Sequence, residues 1–156
     1  MSHIEIRLAT LGDVKRIQRL NEEFWRYNAE LMPYYFQPGQ DTGEYPQNII
    51  NAEDSDLIVA VEGDAIVGLA CLKECKTLPY SAIVQHTYTH VNDLFITSSH
   101  RGKGIGKMLM ESVKEWSAVR NHDYINLTVL SINNRALEFY LDFGFDITEH
   151  ILKYKL

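Results

Sequence analysis

Basic residues are in the minority in this chain of 156 residues: 15 lysines and arginines stand against 21 acidic residues, for a formal net charge of −6. A protein that tracks a phosphate backbone presents a basic face, so this balance argues against a nucleic-acid binder. Long apolar runs are missing too. None approaches the roughly 20 residues that cross a bilayer, and Met1-Ser2-His3-Ile4-Glu5 lacks the basic-then-apolar layout of a secretion signal. A cytosolic protein without a membrane partner is the expectation. Cysteine is scarce, with Cys71 and Cys75 alone. On a strand that spacing holds them about 13 Å apart, beyond the roughly 7 Å that a disulfide allows, so thiols with a packing role are expected. No internal repeat, low-complexity tract or linker breaks the chain, which reads as one domain over residues 1–156.

What is present is apolar periodicity. Ile4 to Leu8 alternate as a strand, and Thr10-Leu11-Gly12-Asp13 resembles a capping box opening a helix. Val14, Ile17, Leu20, Phe24, Tyr27 and Leu31 then recur at helical spacing until Pro33 ends the helix. Tyr34 to Pro46 reads as a loop and residues 47–52 as a short helix. Leu57 to Val61 and Ile66 to Lys73 read as strands joined by a turn at Glu62-Gly63-Asp64. Thr87 to Thr97 is a further strand. After it come a helix from Gly104 to Val119, a strand from Tyr124 to Leu130, a helix from Asn133 to Phe143, and a last extended stretch to Leu156. Antiparallel strands followed by strand–helix–strand–helix predict an α/β fold, one mixed sheet with helices on both faces.

The sharpest signal is Leu94-Phe95-Ile96-Thr97-Ser98-Ser99-His100-Arg101-Gly102-Lys103-Gly104-Ile105-Gly106-Lys107, a strand, a turn and a helix start. Amide groups at a helix N-terminus bind anions, and glycines let a phosphate come close to the backbone. Arg101, Lys103 and Lys107 add local positive charge, so the segment reads as a pyrophosphate cradle. A Walker A loop needs four residues between its glycines, whereas Gly102 and Gly106 have three between them. A dinucleotide fingerprint needs glycine where Lys107 stands. What remains is Arg-x-x-Gly-x-Gly at Arg101, Gly104 and Gly106. Downstream lies Asn133-x-x-Ala136-x-x-x-Tyr140, closed by Gly144-Phe145.

These two motifs in this order resemble those of the GNAT superfamily of acetyl-CoA-dependent N-acetyltransferases. The resemblance implies a mostly antiparallel sheet with one parallel, splayed strand pair, and transfer of an acetyl group from acetyl-CoA to a primary amine. It implies that Leu94, Phe95 and Ile96 form the cofactor strand, whose backbone pairs with the pantetheine arm. It further implies that Arg101, Gly102, Lys103, Gly104, Ile105, Gly106 and Lys107 hold the pyrophosphate and that Asn133 bonds the pantetheine. Tyr140 falls where many relatives place a general acid, and a neutral phenol can donate to a departing thiolate. Relatives carry a Glu-Asp pair before the cofactor strand. Here it is Asn92-Asp93, so Asp93 is the base candidate, directly or through a water, with Glu23 and Glu30 as weaker ones. The acceptor pocket is expected around Trp25, Tyr27, Tyr34 and Tyr35, where aromatic faces and nearby carboxylates suit an ammonium group.

No metal is expected: His86 and His90 have a spacing that chelates zinc on a helix, but Thr87-Tyr88-Thr89 and Val91 favour a strand, which holds the two rings too far apart. An acyl-carrying Cys71 or Cys75 would need a neighbouring base and a lowered pKa. Only residues 146–156 follow Gly-Phe, where many relatives have two strands. They make one long strand or a tight pair broken near Glu149, and an exposed edge raises the hypothesis of a homodimer. The acceptor is a small molecule such as a polyamine, or a protein amine. The alternative function is a CoA-binding sensor without turnover.

Overall fold

The computed structural model describes residues 2–156. Its sheet has five strands in the order β1-β2-β3-β4-β5: Ile4–Leu8, Ser55–Glu62, Ala65–Lys76, Thr87–Ile96 and Ile125–Asn126. The first four pair antiparallel, and β5 joins β4 in parallel. Four helices complete the fold: α1 (Val14–Leu31), α2 (Glu44–Asn51), α3 (Ile105–Val119) and α4 (Asn134–Phe143). The α/β fold with one mixed sheet expected from the sequence is therefore present.

Each face of the sheet carries its own core. Ile58, Ala60, Ala70, Leu72 and Val91 meet Ile105, Leu109, Val113 and Tyr140 under α3 and α4. Leu57, Val59, Leu69, Cys71 and Phe95 meet Ile17 and Leu20 under α1, with Ile49 and Ile50 of α2 beside them. The period-two alternation of β2 and β3 sorts successive side chains to opposite cores. These strands are apolar on both faces because both are covered.

Four expected elements differ, one of them the strand or strand pair expected over residues 146–156, where no strand forms. A single-turn 3₁₀ segment (Leu11–Asp13) precedes α1, and the capping carboxylate of Asp13 accepts the Thr10 N–H at 2.8 Å. The second helix begins at Glu44 rather than at residue 47. Gly43 caps it, and Pro46 sits in the first turn, where its missing N–H costs nothing. The strand expected over residues 124–130 is paired only at Ile125 and Asn126, against Thr89 and His90. Beyond that point β5 leaves β4, and the β4 edge stands open.

Candidate active site

Strand β4 sets the geometry. The Thr89 N–H donates towards β5, to Tyr124 O at 3.0 Å, whereas Thr97 N–H donates towards β3, to Val67 O at 2.9 Å. Successive residues of a strand point their polar groups to alternate sides, so two odd-numbered residues can differ only if the phase slips between them. It slips at Asn92, where the β3–β4 register shifts between the Cys71–Asp93 and Leu72–Val91 pairs. The bulge turns the N–H and C=O groups of Leu94 and Ile96 to the open edge, and those of Phe95 to β3. At Ile96 the carbonyl accepts Arg101 Nε at 3.0 Å, and the remaining groups face the gap.

Above this edge lies the glycine turn. Gly102 and Gly104 have φ of 75° and 81°, a left-handed conformation that lets the backbone reverse into α3. Gly106 needs its missing side chain for a different reason, since a Cβ there would lie 3.3 Å from the Phe139 ring. That contact brings the N-terminal half of α3 against α4. Among the described residues, no backbone N–H from Gly102 to Lys107 donates to a protein acceptor; the first to do so is Met108, to Gly104 O at 3.1 Å. Six consecutive amides at a helix start form a concave donor surface for an anion. Lys103 and Lys107 are exposed beside it. This cradle fits a pyrophosphate on its own geometry.

Arg101 has a further part. Its guanidinium lies 4.7 Å from the Tyr27 ring centroid and 5.1 Å from that of Phe95, so it ties α1 to the turn. Glu23 does the same, accepting the Thr97 hydroxyl at 2.9 Å and the Ser98 N–H at 3.2 Å. Its carboxylate is engaged in holding the loop, and Glu30 is exposed. Tyr27 is likewise a packing residue.

Two titratable groups flank the gap from opposite faces. Asp93 pairs across strands with Cys71 and faces the α1–α2 side, where the Tyr45 hydroxyl donates to its Oδ2 at 3.1 Å and contacts Cys71 Sγ at 3.4 Å. Burial pushes the Asp93 carboxyl above the usual carboxylate range, and the Tyr45 bond and the charge of His90 pull it back in part. Burial also raises Cys71 to about 12, so its thiol stays protonated at neutral pH. From the other face Tyr140, on α4, is buried edge-on between Phe139 and Phe145, and burial lifts its phenol to about 12. Its hydroxyl makes no hydrogen bond to a described residue. Among the described residues no fully buried side-chain polar atom lacks a partner, so that hydroxyl is not fully enclosed. Asn133 caps α4, its Oδ1 accepting Ala136 N–H at 3.2 Å, which leaves its amide NH₂ to donate elsewhere.

The four aromatic residues expected in one pocket are spread out. Trp25 lines a cavity of about 270 Å³ with Asp41, Glu44, Tyr45 and Asn48. Tyr34 and Tyr35 stack edge-on at 5.0 Å on the exposed loop after α1, with Lys155 and Lys153 over their rings. Among the described residues, no His, Cys, Asp and Glu side chains gather into a metal-binding group.

The family model described as Acetyltransferase (GNAT) family matches residues 17–145. The chain belongs to that family. A similar protein is an uncharacterized N-acetyltransferase of Archaeoglobus fulgidus, 29% identical over 88% of this chain and 89% of its own. A streptothricin acetyltransferase of Streptomyces lavendulae is 29% identical over 67% of this chain and 53% of its own. Among solved structures, the aminoglycoside N-acetyltransferase AAC(6')-Iy in complex with CoA shares the fold, with a TM-score of 0.78 and 17% identity over 100% of this chain and 96% of its own. This GNAT chain is therefore an acetyltransferase. Two features of its site escaped sequence reading: the bulge at Asn92 and the Tyr45–Asp93 bond. Each depends on a contact between residues far apart in the chain, and no local pattern signals either.

Proposed function

We propose that the protein transfers an acetyl group from acetyl-CoA directly to a primary amine, with donor and acceptor bound together on opposite faces of the sheet. The observation that carries this reading is the row of unpartnered amides from Gly102 to Lys107, set above the open β4 edge. The donor fits the α3–α4 face. Gly102 to Lys107 hold its pyrophosphate, with Lys103 and Lys107 alongside, and Leu94, Ile96 and the Asn133 amide hold its pantetheine. Acetyl-CoA supplies the thioester whose acyl carbon is attacked. A β4 N–H polarises the carbonyl and stabilises charge on its oxygen. The acceptor ammonium enters from the α1–α2 face beside Trp25, Asp41, Glu44 and Tyr45. Asp93, whose raised pKa makes it a stronger base, takes the ammonium proton. The new N–C bond forms and the C–S bond breaks; Tyr140 gives its proton to the departing sulfur and recovers one from the second proton that the attacking nitrogen sheds, so that amide, thiol and a protonated Asp93 result.

Cation-binding groups on that face, and the amine-modifying activities named for the similar proteins, support a small-molecule amine as acceptor. A protein amine is served by the same chemistry. Two cysteines without a disulfide suit a cytosolic setting. The test is thiol release from acetyl-CoA against polyamines, aminoglycosides, amino acids and lysine peptides. Turnover with one class, absent without amine, is expected. Acetyl-CoA binding with no turnover on any of them would favour a sensor.

A further inference from the structure

Strand β4 turns different residues to its two faces before and after the bulge at Asn92. Before it, Thr89 and Val91 face α3: the Thr89 hydroxyl bonds that of Ser117, and Val91 lies in the core beneath Leu109 and Val113. His90 therefore faces the opposite, α1–α2 side. After the bulge the order is reversed, for Asp93 meets Tyr45 of α2 and Phe95 packs with Ile17 and Leu20 of α1. Residues three apart on a regular strand lie on opposite faces. Here the extra residue brings His90 and Asp93 onto one face. Their β3 partners, Lys73 and Cys71, are two residues apart, a spacing of about 7 Å along a strand.

Strand β5 fixes the imidazole. Its parallel pairing sets Asn126 beside His90, and the amide Oδ1 accepts His90 Nδ1 at 2.7 Å. An amide oxygen can only accept, so Nδ1 carries the ring proton and the lone pair stands on Nε2. Imidazole is the side chain that ordinarily gains and loses a proton near neutral pH. The other groups on this face are less suited. Lys73, opposite on β3, is exposed, and an ammonium has no lone pair to offer. Cys71 stays protonated, and Tyr45 already donates to Asp93. Further along, Cys75 lies opposite Tyr88, which stacks on Tyr124 at 4.8 Å.

The balance of protons calls for such a group. Acyl transfer from a thioester to an ammonium yields an amide, a thiol and one proton. The thiol takes its proton through Tyr140, and the remaining one sits on Asp93 when the turnover ends. The next ammonium needs that carboxyl ionised. A positive charge on His90 favours the ionised form. We propose that His90 empties the base: its Nε2 takes the proton from the Asp93 carboxyl, directly or through a water, and the imidazolium then releases it to solvent. Nδ1 stays bonded to Asn126 throughout, so the ring returns to the same tautomer. His90 acts through Asp93 and not on the acceptor. This role rests on the amine transfer proposed above and adds an order to it, with discharge after the acyl group has moved.

That order supplies the test. kcat/KM contains only the steps up to acyl transfer, whereas kcat also contains recovery of the base. His90→Gln keeps a polar side chain at this position, and its Tm should match the parent's. Thiol release from acetyl-CoA is measured with spermidine, kanamycin, lysine and a lysine peptide as separate amines. With an amine that the parent turns over, the variant should lose about tenfold or more in kcat and keep kcat/KM for that amine. On rapid mixing it should release one thiol per chain at the parent's rate and then slow. Added imidazole at fixed pH should restore the slow phase and leave the parent unchanged. An unchanged kcat, an equal loss in kcat and kcat/KM, or no response to imidazole would overturn the role of His90 and leave the amine transfer standing. A parent inactive on all four amines would overturn the transfer reading and the role of His90 with it.

Discussion

Tyr45 is half-exposed, yet its hydroxyl reaches both Asp93 and Cys71. A donor to the charged form of a carboxyl lowers its pKa, so Tyr45 opposes the burial that raises Asp93. Tyr45→Phe removes the donor and leaves the ring. The acid limb of the pH profile of kcat/KM should then move to higher pH, while the KM for acetyl-CoA stays unchanged. An unmoved acid limb would detach Asp93 from proton removal. Asp93→Asn should lower kcat by about 10²-fold or more without lowering Tm at neutral pH, because the native site already penalises the charged carboxylate. Tyr140→Phe should also lower kcat about 10²-fold, with donor affinity kept. These three side chains come from α2, β4 and α4, and only the last two were marked by sequence motifs.

At the scale of elements, the glycine turn was legible because its chemistry is local. Three glycines, flanking cations and the start of the following helix all lie within Arg101 to Lys107. Gly104→Ala tests it. Nothing lies within 4 Å of a Cβ at this position, so the substitution meets no clash, only the strain of φ near 81°. A stability loss of about 1 kcal/mol is expected. The KM for acetyl-CoA should rise several-fold with kcat nearly unchanged, measured by steady-state kinetics. Equal loss in kcat would place the turn in chemistry rather than in binding. Strand β5 was less legible. Residues 124–130 have strand composition, but pairing depends on where the neighbouring strand goes, and β4 turns its polar groups after a bulge that composition does not encode. The start of α2 was hidden for a simpler reason: Pro46 reads as a helix breaker, although in the first turn it is tolerated.

The whole molecule depends on a few polar ties between its layers. Asp13 is buried under Arg7 and Arg16, accepting Arg7 Nη1 at 2.7 Å and also bonding Arg16. This links β1, the turn after it and α1. The Arg7 hydrogen bond, aided by the Thr10 amide and both positive charges, holds the Asp13 carboxyl well below its usual range against the opposing effect of burial. Its stabilising contribution is therefore complete above the unfolded carboxylate pKa of about 3.9 and is lost as pH falls towards the folded value. Asp13→Asn should cost about 3 kcal/mol near neutral pH in urea unfolding, and the difference from the parent should shrink below about pH 4. The same scale holds what was least legible in the sequence. The stretch after Phe145 reads as a strand from its composition, but whether it pairs depends on where α4 and β5 are placed, and it joins no sheet here.

The proposed transfer takes place within one complex, through the gap beside β4. Initial rates measured with acetyl-CoA and the amine both varied test this without a mutation. Intersecting double-reciprocal lines are predicted, with Cys71→Ala retaining them. Parallel lines would mean that the acyl group first rests on the protein, and would contradict direct attack.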